Sequence, residues 1–339
     1  MKVTELGEFG LIRRFSPPFT AALAAGELGI GDDCAVLPQP DGTMLLVTTD
    51  MLVEDVHFLR RAIAPADLGW KSLAVNLSDI AAMGGTPHAA FLSLALPRDV
   101  EVEWVDAFFA GLKELADATG TELLGGDTTR SPERVVVNVA VLGRAAAGRV
   151  KLRSSARAGD VACVTGFLGD SGGGLELVVA GRGATGDDES ALLRAHNRPR
   201  PHLAEGVWLA GRPEVTAMMD VSDGIDSDLR RIGERSRCGA RVDLDRLPVS
   251  PQLARVGARL GWDVTRLAAA AGEDYCLLLA ADPGGVAGLA GEFAAVFGRP
   301  LVAIGTFTGE PEAVRYEVGG KEANLAGHGF DHFAANGDG

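Results

Sequence analysis

Short β-rich runs that close on glycine or aspartate alternate with stretches whose apolar residues recur every three to four positions. This alternation constrains the fold more than any other feature of the chain. MLLVTT (44–49) ends on Asp50, and FLSLALP (91–97) and RVVVNVAVLG (134–143) are further strand candidates. Between them, residues 66–83 set Trp70, Leu73, Ala74, Leu77 and Ala81 on a helical period. Ser72, Asn76 and Asp79 follow one another at i, i+4 and i+7, which makes them a polar stripe on that helix. Gly84-Gly85 and Pro87 stop it. Residues 101–118 read as an amphipathic helix ended by Gly120, and TELL (121–124) runs into Gly125-Gly126-Asp127. The second half repeats the alternation. VACVTG (161–166) enters a Gly-rich loop and a helix, residues 217–236 read as strand, turn and helix, and YCLLLAA (275–281) and LVAIGTF (301–307) are strands. Such an order predicts layered α/β (or α+β) folding, not an all-helical or all-β chain.

At roughly 150 residues per domain, 339 residues suggest two domains. The charged, small-residue stretch 144–160 is the expected boundary, dividing the chain into 1–148 and 149–339. A hydrophobic fraction of 47% supplies enough apolar side chain for sizeable cores and argues against disorder. The net charge of −14, with no basic patch, argues against nucleic acid and anionic membrane as partners. The N-terminus has no apolar signal region and no stretch is long enough to span a bilayer, so a cytoplasmic location is expected. Cys34, Cys163, Cys238 and Cys276 are far apart, which suggests buried thiols and neither a zinc site nor a disulfide framework.

The aspartates carry the chemical signal. Asp50, Asp127 and Asp220 follow strand candidates, Asp223 opens a helix, Asp32 and Asp33 follow Gly29-Ile30-Gly31, and Asp79 lies on the polar stripe. Strand ends converge on one side of a sheet, where α/β proteins build their sites. Two unit charges 4 Å apart repel by about 4 kcal/mol at an effective dielectric of 20, so several carboxylates gathered there call for cations. Mg²⁺ suits them, and the Thr48 and Thr49 hydroxyls are candidate additional ligands. Aspartate beside glycine is also ordinary turn and cap chemistry, so the argument rests on recurrence. Asp226 and Asp228 read as helix first-turn acids; Asp32 as a loop stabiliser beside a ligating Asp33 is one assignment, which the sequence leaves open.

Phosphate handling is less explicit. There is no P-loop and no protein-kinase signature set. Residues 169–174 could expose backbone N–H groups to an anion, but a glycine run before a helix is more often just a tight turn. With only five lysines in the chain, a direct cationic phosphate contact points to arginine, and Arg153 is a candidate that reads equally as a solvated linker arginine. No general base stands out, and His57 alone reads as a packing or surface residue.

Taken in order, GEFGLIRRF (7–15), GIGDDCAVL (29–37), TTDMLVEDVHF (48–58), KSLAVNLSDIAAMGGTP (71–87), GGDTTRSP (125–132), VTGFLGDSGGGL (164–175), DVSDGIDSDL (220–229), GEDYCLLL (272–279) and GFDHF (329–333) resemble the thiamine-monophosphate kinases over nearly the whole chain. That family lies in a superfamily with aminoimidazole ribonucleotide synthetase, selenophosphate synthetase and a hydrogenase maturation factor. The resemblance implies an aminoimidazole ribonucleotide synthetase-like architecture of two α/β domains. It further implies an N-terminal sheet that pairs across a homodimer and ATP held between the domains. It implies metal ligation by Asp33, Thr48, Thr49, Asp50, Asp79, Asp127, Asp220 and Asp223, and ATP contacts from Gly126, Asp127, Arg153 and Ser222. Thiamine monophosphate would meet His57, Glu273 and Phe330. Relatives often carry Trp-x-Gly-Tyr-Asp-His-Phe near the C-terminus; here Gly327 replaces the Trp and Phe330 the Tyr. The implied reaction is ATP-dependent phosphorylation of thiamine monophosphate to the diphosphate, aided by several Mg²⁺ ions and needing no general base. The alternatives are another ATP-dependent enzyme of the superfamily and a non-catalytic nucleotide- or metal-binding relative. The GEFGLIRRF, VHF and GEDY segments argue for the kinase.

Overall fold

The computed structural model of the chain describes residues 2–325 apart from 312. After two short helices, α1 (Gly7–Phe15) and α2 (Pro17–Thr20), the first half pairs its strands into one sheet. These are β1 (Ala35–Pro38), β2 (Thr43–Val53), β3 (Thr86–Leu96), β4 (Glu122–Arg130) and β5 (Val136–Ala146), in spatial order β1-β2-β5-β3-β4. β3 and β4 run parallel and the other pairs antiparallel. Alternation along the strands creates two unlike faces. Leu46, Thr48 and Leu52 of β2 and Val137, Val139 and Val141 of β5 are buried, whereas Thr49 and Met51 are exposed.

The buried face is covered by α3 (Pro65–Ala82) and α4 (Val102–Thr119), whose Leu73, Leu77, Ile80, Phe108 and Leu112 join the strand valines in one core. α3 opens with Pro65 in its first turn, where a missing N–H costs nothing. α4 ends at Gly120, whose φ of +67° makes the left-handed cap its position predicted. The two helices cross closely enough that a Cβ on Gly111 would lie 1.7 Å from the Ala66 carbonyl oxygen. Gly111→Ala is therefore expected to destabilise the fold by about 3 kcal/mol through overpacking. Denaturant unfolding measures this, and an unchanged midpoint would mean that the helices separate freely.

The second half opens with β6 (Val161–Val164) and continues through α5 (Asp170–Val179), α6 (Asp187–Asn197), α7 (Leu203–Ala210), β7 (Val215–Asp220), α8 (Ile225–Ser236) and β8 (Gly239–Asp243). It ends with α9 (Pro251–Leu260), α10 (Val264–Ala270), β9 (Leu277–Ala281), α11 (Val286–Phe297), β10 (Val302–Thr308), β11 (Val314–Val318) and β12 (Lys321–Ala323). Its seven strands are ordered β12-β11-β8-β10-β6-β9-β7. β9 is apolar and buried at all five positions because the sheet is covered on both sides. Ile225, Leu229 and Ile232 of α8 pack on one face, and Leu289 and Phe293 of α11 on the other. Ala81 and Ala82 of α3 join this second face, so α3 lies between the two sheets. That position explains why its expected polar stripe is an interior one: Ser72 and Asn76 are buried, not solvated. All four cysteines are buried and free. Among the described residues, no helix is long and apolar enough to cross a membrane.

Two strand-end expectations are corrected: Asp50 does not follow a strand but lies within β2, which runs on to Val53. Gly125-Gly126-Asp127 does not follow a strand but lies within β4, which absorbs it by a register shift that leaves Leu124 unpaired. The Gly-rich run 169–174 is the favoured turn into a helix, not an open anion loop. Gly172, Gly173 and Gly174 are buried inside α5, and a Cβ on Gly174 would meet the Leu192 carbonyl oxygen at 2.4 Å. The backbone N–H groups of Gly169 and Ser171 donate to the Asp274 carboxylate, at 2.6 and 3.3 Å, so a carboxylate of the chain already occupies this helix N-terminus.

Candidate metal and nucleotide site

The turn that follows β7 meets the α3 face, and this junction gathers the acidic residues. Asp33, Asp79 and Asp220 each offer a carboxylate oxygen, all within 4.8 Å of one another. Asp33 comes from the loop before β1, Asp79 from the last turn of α3 and Asp220 from the end of β7. Asp220 is held by Ser78, whose Oγ donates to it at 2.6 Å. Asp79 accepts from the Thr48 hydroxyl. The Asp50 backbone N–H donates to Asn76 Oδ1 at 3.0 Å, so the interior stripe of α3 also fixes β2.

The electrostatics match the crowding. Burial, then the charges of Asp223 and Asp33, push the Asp50 carboxyl up to about 6. Burial and Asp33 push Asp220 up to about 8, against the opposing pull of Ser78 and Arg153. Asp79 is also raised, by burial and by Asp50, Asp220 and Asp33. Carboxylates that ionise reluctantly because they are buried and, secondarily, because they face each other form a donor set suited to a hard divalent cation.

Arg153 is tied into this cluster. Its guanidinium pairs with Asp33, with Nε 3.2 Å from Oδ2, and its backbone N–H donates to Asp32 at 3.1 Å. Asp32 also accepts from the Asp33 N–H at 3.2 Å, a contact that ties the loop down. Burial and the neighbouring Asp33 push Asp32 up to about 7. Asp223 pairs with Arg231. Asp226 is buried with Arg230 and the Tyr316 hydroxyl, and Asp228 is fully buried with both oxygens lacking a hydrogen-bond partner.

The remaining candidates lie around this centre or away from it. Ser222 sits in the turn after β7, and its carbonyl accepts from the Glu273 N–H at 2.7 Å. His57 Nδ1 accepts from the Val53 N–H at 3.0 Å, which assigns the ring proton to Nε2. Glu273 is bonded to Lys71 and His196. Thr49, Gly126 and Asp127 are not brought to the cluster. Thr49 is exposed and accepts from Asn138, while Asp127 is exposed and in register with Ser93. Three strand spacings separate β4 from β2, about 14 Å. Phe330 lies outside the described residues.

Sequence reasoning missed Lys71, Asn76 as an anchor, His196 and Asp274. One signal was available for Lys71: a charged side chain two turns before Asp79, in a helix otherwise reading as core. Nothing local marks His196 or Asp274, whose partners are remote in the chain.

Comparison with known proteins agrees with this architecture. Residues 31–145 match the family model for the AIR synthase related protein N-terminal domain, and residues 157–316 that for the C-terminal domain. The thiamine-monophosphate kinase of Escherichia coli K12 is 39% identical over 332 residues, covering 97% of this chain and 98% of the relative. That of Bacillus subtilis is 36% identical over 256 residues, covering 74% and 77%. A solved structure of AaThiL complexed with AMPPCP and TMP superposes with a TM-score of 0.85 at 34% identity, covering 98% of this chain and 99% of that one. A hydrogenase maturation protein HypE bound to ATP shares the fold, with a TM-score of 0.69 at 17% identity. With both domain models matched in order and extended identity to curated relatives, the chain belongs to the AIR synthase related family, as one of its thiamine-monophosphate kinases.

Proposed function

We propose that this protein transfers the γ-phosphoryl group of ATP directly to the phosphate of thiamine monophosphate, giving ADP and thiamine diphosphate. The observation that carries the reading is the convergence of Asp33, Asp79 and Asp220 at the junction of the two halves of a chain so similar to these kinases. In the transfer, the bond between the γ-phosphorus and the β,γ-bridging oxygen breaks. A new bond forms to an oxygen of thiamine monophosphate. That oxygen is already deprotonated near neutral pH, so the chain needs no general base.

The residues present fit Mg²⁺: Asp33, Asp79 and Asp220 would hold it, with Thr48, Asp50 and Asp223 beside them and Thr49 and Asp127 as the outlying members of the proposed set. Bound there, Mg²⁺ supplies charge neutralisation between two polyanions and on the leaving oxygen. Arg153 balances Asp33 in the free protein and is placed to meet nucleotide phosphate, with Gly126, Asp127 and Ser222 as further ATP contacts. His57 and Glu273 are the proposed contacts to thiamine monophosphate, with Phe330. The division at 148/149 into two domains is supported by the change of sheet between β5 and β6.

A homodimer is part of this proposal. β4 is exposed at all nine positions, with Leu123 and Leu124 uncovered on an edge strand. An edge of this kind invites pairing with another chain. The same surface carries Gly126 and Asp127, so pairing of two subunits through it supplies a reason for their distance from the cluster. We place the protein in the cytoplasm, where ATP and Mg²⁺ are available.

The test is a coupled assay of ADP release with purified protein, ATP and Mg²⁺. Release is expected to depend on thiamine monophosphate. Release that instead requires a purine-biosynthetic intermediate, or no release with either, would overturn the reading.

A further inference from the structure

Lys71 is a fully buried charged side chain, and its charge is not spent on the aspartate cluster. It reaches from α3 to the Glu273 carboxylate, 202 residues away, with Nζ 3.0 Å from Oε1 and 3.1 Å from Oε2. His196 approaches the same carboxylate, its Nδ1 3.2 Å from Oε2, and Ser171 Oγ lies 3.1 Å from that nitrogen. Burial and the charge of Lys71 hold His196 down to about 4 despite Glu273, so the ring is neutral at physiological pH. Its Nδ1–H then donates to Glu273.

We infer that Lys71 is a positioning residue for thiamine monophosphate, clamping Glu273 as a fixed carboxylate acceptor on the substrate side of the junction. The inference rests on the proposal that Glu273 contacts this substrate. Three features support it. Glu273 adopts φ +63°, a conformation costly for a residue with a Cβ, and its N–H is bonded to Ser222, so its backbone is constrained on one side. Its carboxylate has about four acceptor positions, of which Lys71 and His196 take three. The side chain keeps 26% of its surface exposed, which leaves one acceptor position for a donor such as an exocyclic amino group. Lys71, by contrast, is only 1% exposed at its side chain and acts through Glu273, not on substrate.

The test is steady-state kinetics on Lys71→Met, Glu273→Gln and the double variant, with each substrate varied separately. Each single change is expected to raise KM for thiamine monophosphate about 10-fold or more, the loss of one charged hydrogen bond. KM for ATP should stay within about 2-fold, a change too small to signal a lost contact. Because Lys71 acts through Glu273, the double variant should be no worse than Glu273→Gln alone. Where thermal melting shows Lys71→Met unfolded, Lys71→Gln replaces it in the same comparison, keeping a neutral donor. Effects that multiply in the double variant, or a Lys71 variant that alters kcat or the ATP KM while leaving the thiamine monophosphate KM unchanged, would assign Lys71 a merely structural role. If Glu273→Gln itself leaves that KM unchanged, the assignment of Glu273 to substrate fails first and the role of Lys71 falls with it. A Glu273 effect without a Lys71 effect overturns the positioning role alone.

Discussion

Asp220→Asn is expected to lower kcat on the order of 10³-fold while making the metal-free protein more stable, not less, near pH 8. The two effects have one cause. Asp220 lies at the end of β7, 2% exposed, within reach of Asp33 and Asp79. Its carboxyl is pushed up to about 8 by burial and by Asp33. Asparagine keeps the shape and still accepts from Ser78 Oγ, but it cannot supply the negative charge that Mg²⁺ requires. In the folded protein Asp220 stays protonated to a higher pH than in the unfolded chain, so the native state binds more protons across that interval. Stability is then lost as pH rises from the ordinary carboxylate value of 3.8 through about 8. The asparagine variant does not titrate and escapes that loss. Its melting temperature should exceed the parent's near pH 8 without metal, and the difference should close near pH 4. Near-parental kcat at limiting Mg²⁺ would remove Asp220 from the reaction.

The second large effect is a pH-dependent stabilisation by Mg²⁺ itself. Without metal, Asp50 at about 6, Asp220 at about 8 and the raised Asp79 all carry folded values above the unfolded one, so each erodes stability as pH increases. Metal binding needs the ionised forms and reverses this loss where they prevail. At a concentration 100-fold above Kd, binding stabilises the native state by about 2.7 kcal/mol, a shift of several degrees. Near pH 5, protons compete for the same oxygens and the shift should shrink to a small fraction. Thermal melts with and without Mg²⁺ at both pH values decide it. Equal shifts at pH 5 and pH 8 would place the binding on groups other than these carboxylates.

How far the chain could be read depended on the range of each interaction. The span of α4 and its Gly120 stop were legible because periodicity and capping act within a turn or two of helix. The strand, turn and helix around Asp220 and Asp223 were legible for the same reason. The run 169–174 stayed open between two readings because a glycine cluster looks alike whether it cradles an anion or lets helices pack. Only Leu192 and Asp274, far along the chain, reveal that it packs. The polar stripe of α3 was legible as a set of residues but its buried surroundings were not, because a period states which side chains share a face and not what that face meets.

The amino-acid order alone determined the α/β alternation, the helix ends and the kinds of group available for phosphate chemistry, since these follow from neighbours a few residues apart. Only the tertiary structure decided which of those groups meet. Ser78 reaches Asp220 across 142 residues and Lys71 reaches Glu273 across 202 because α3 is packed between two sheets. Burial there, which no local pattern encodes, turns separate aspartates into one cluster of raised carboxyls.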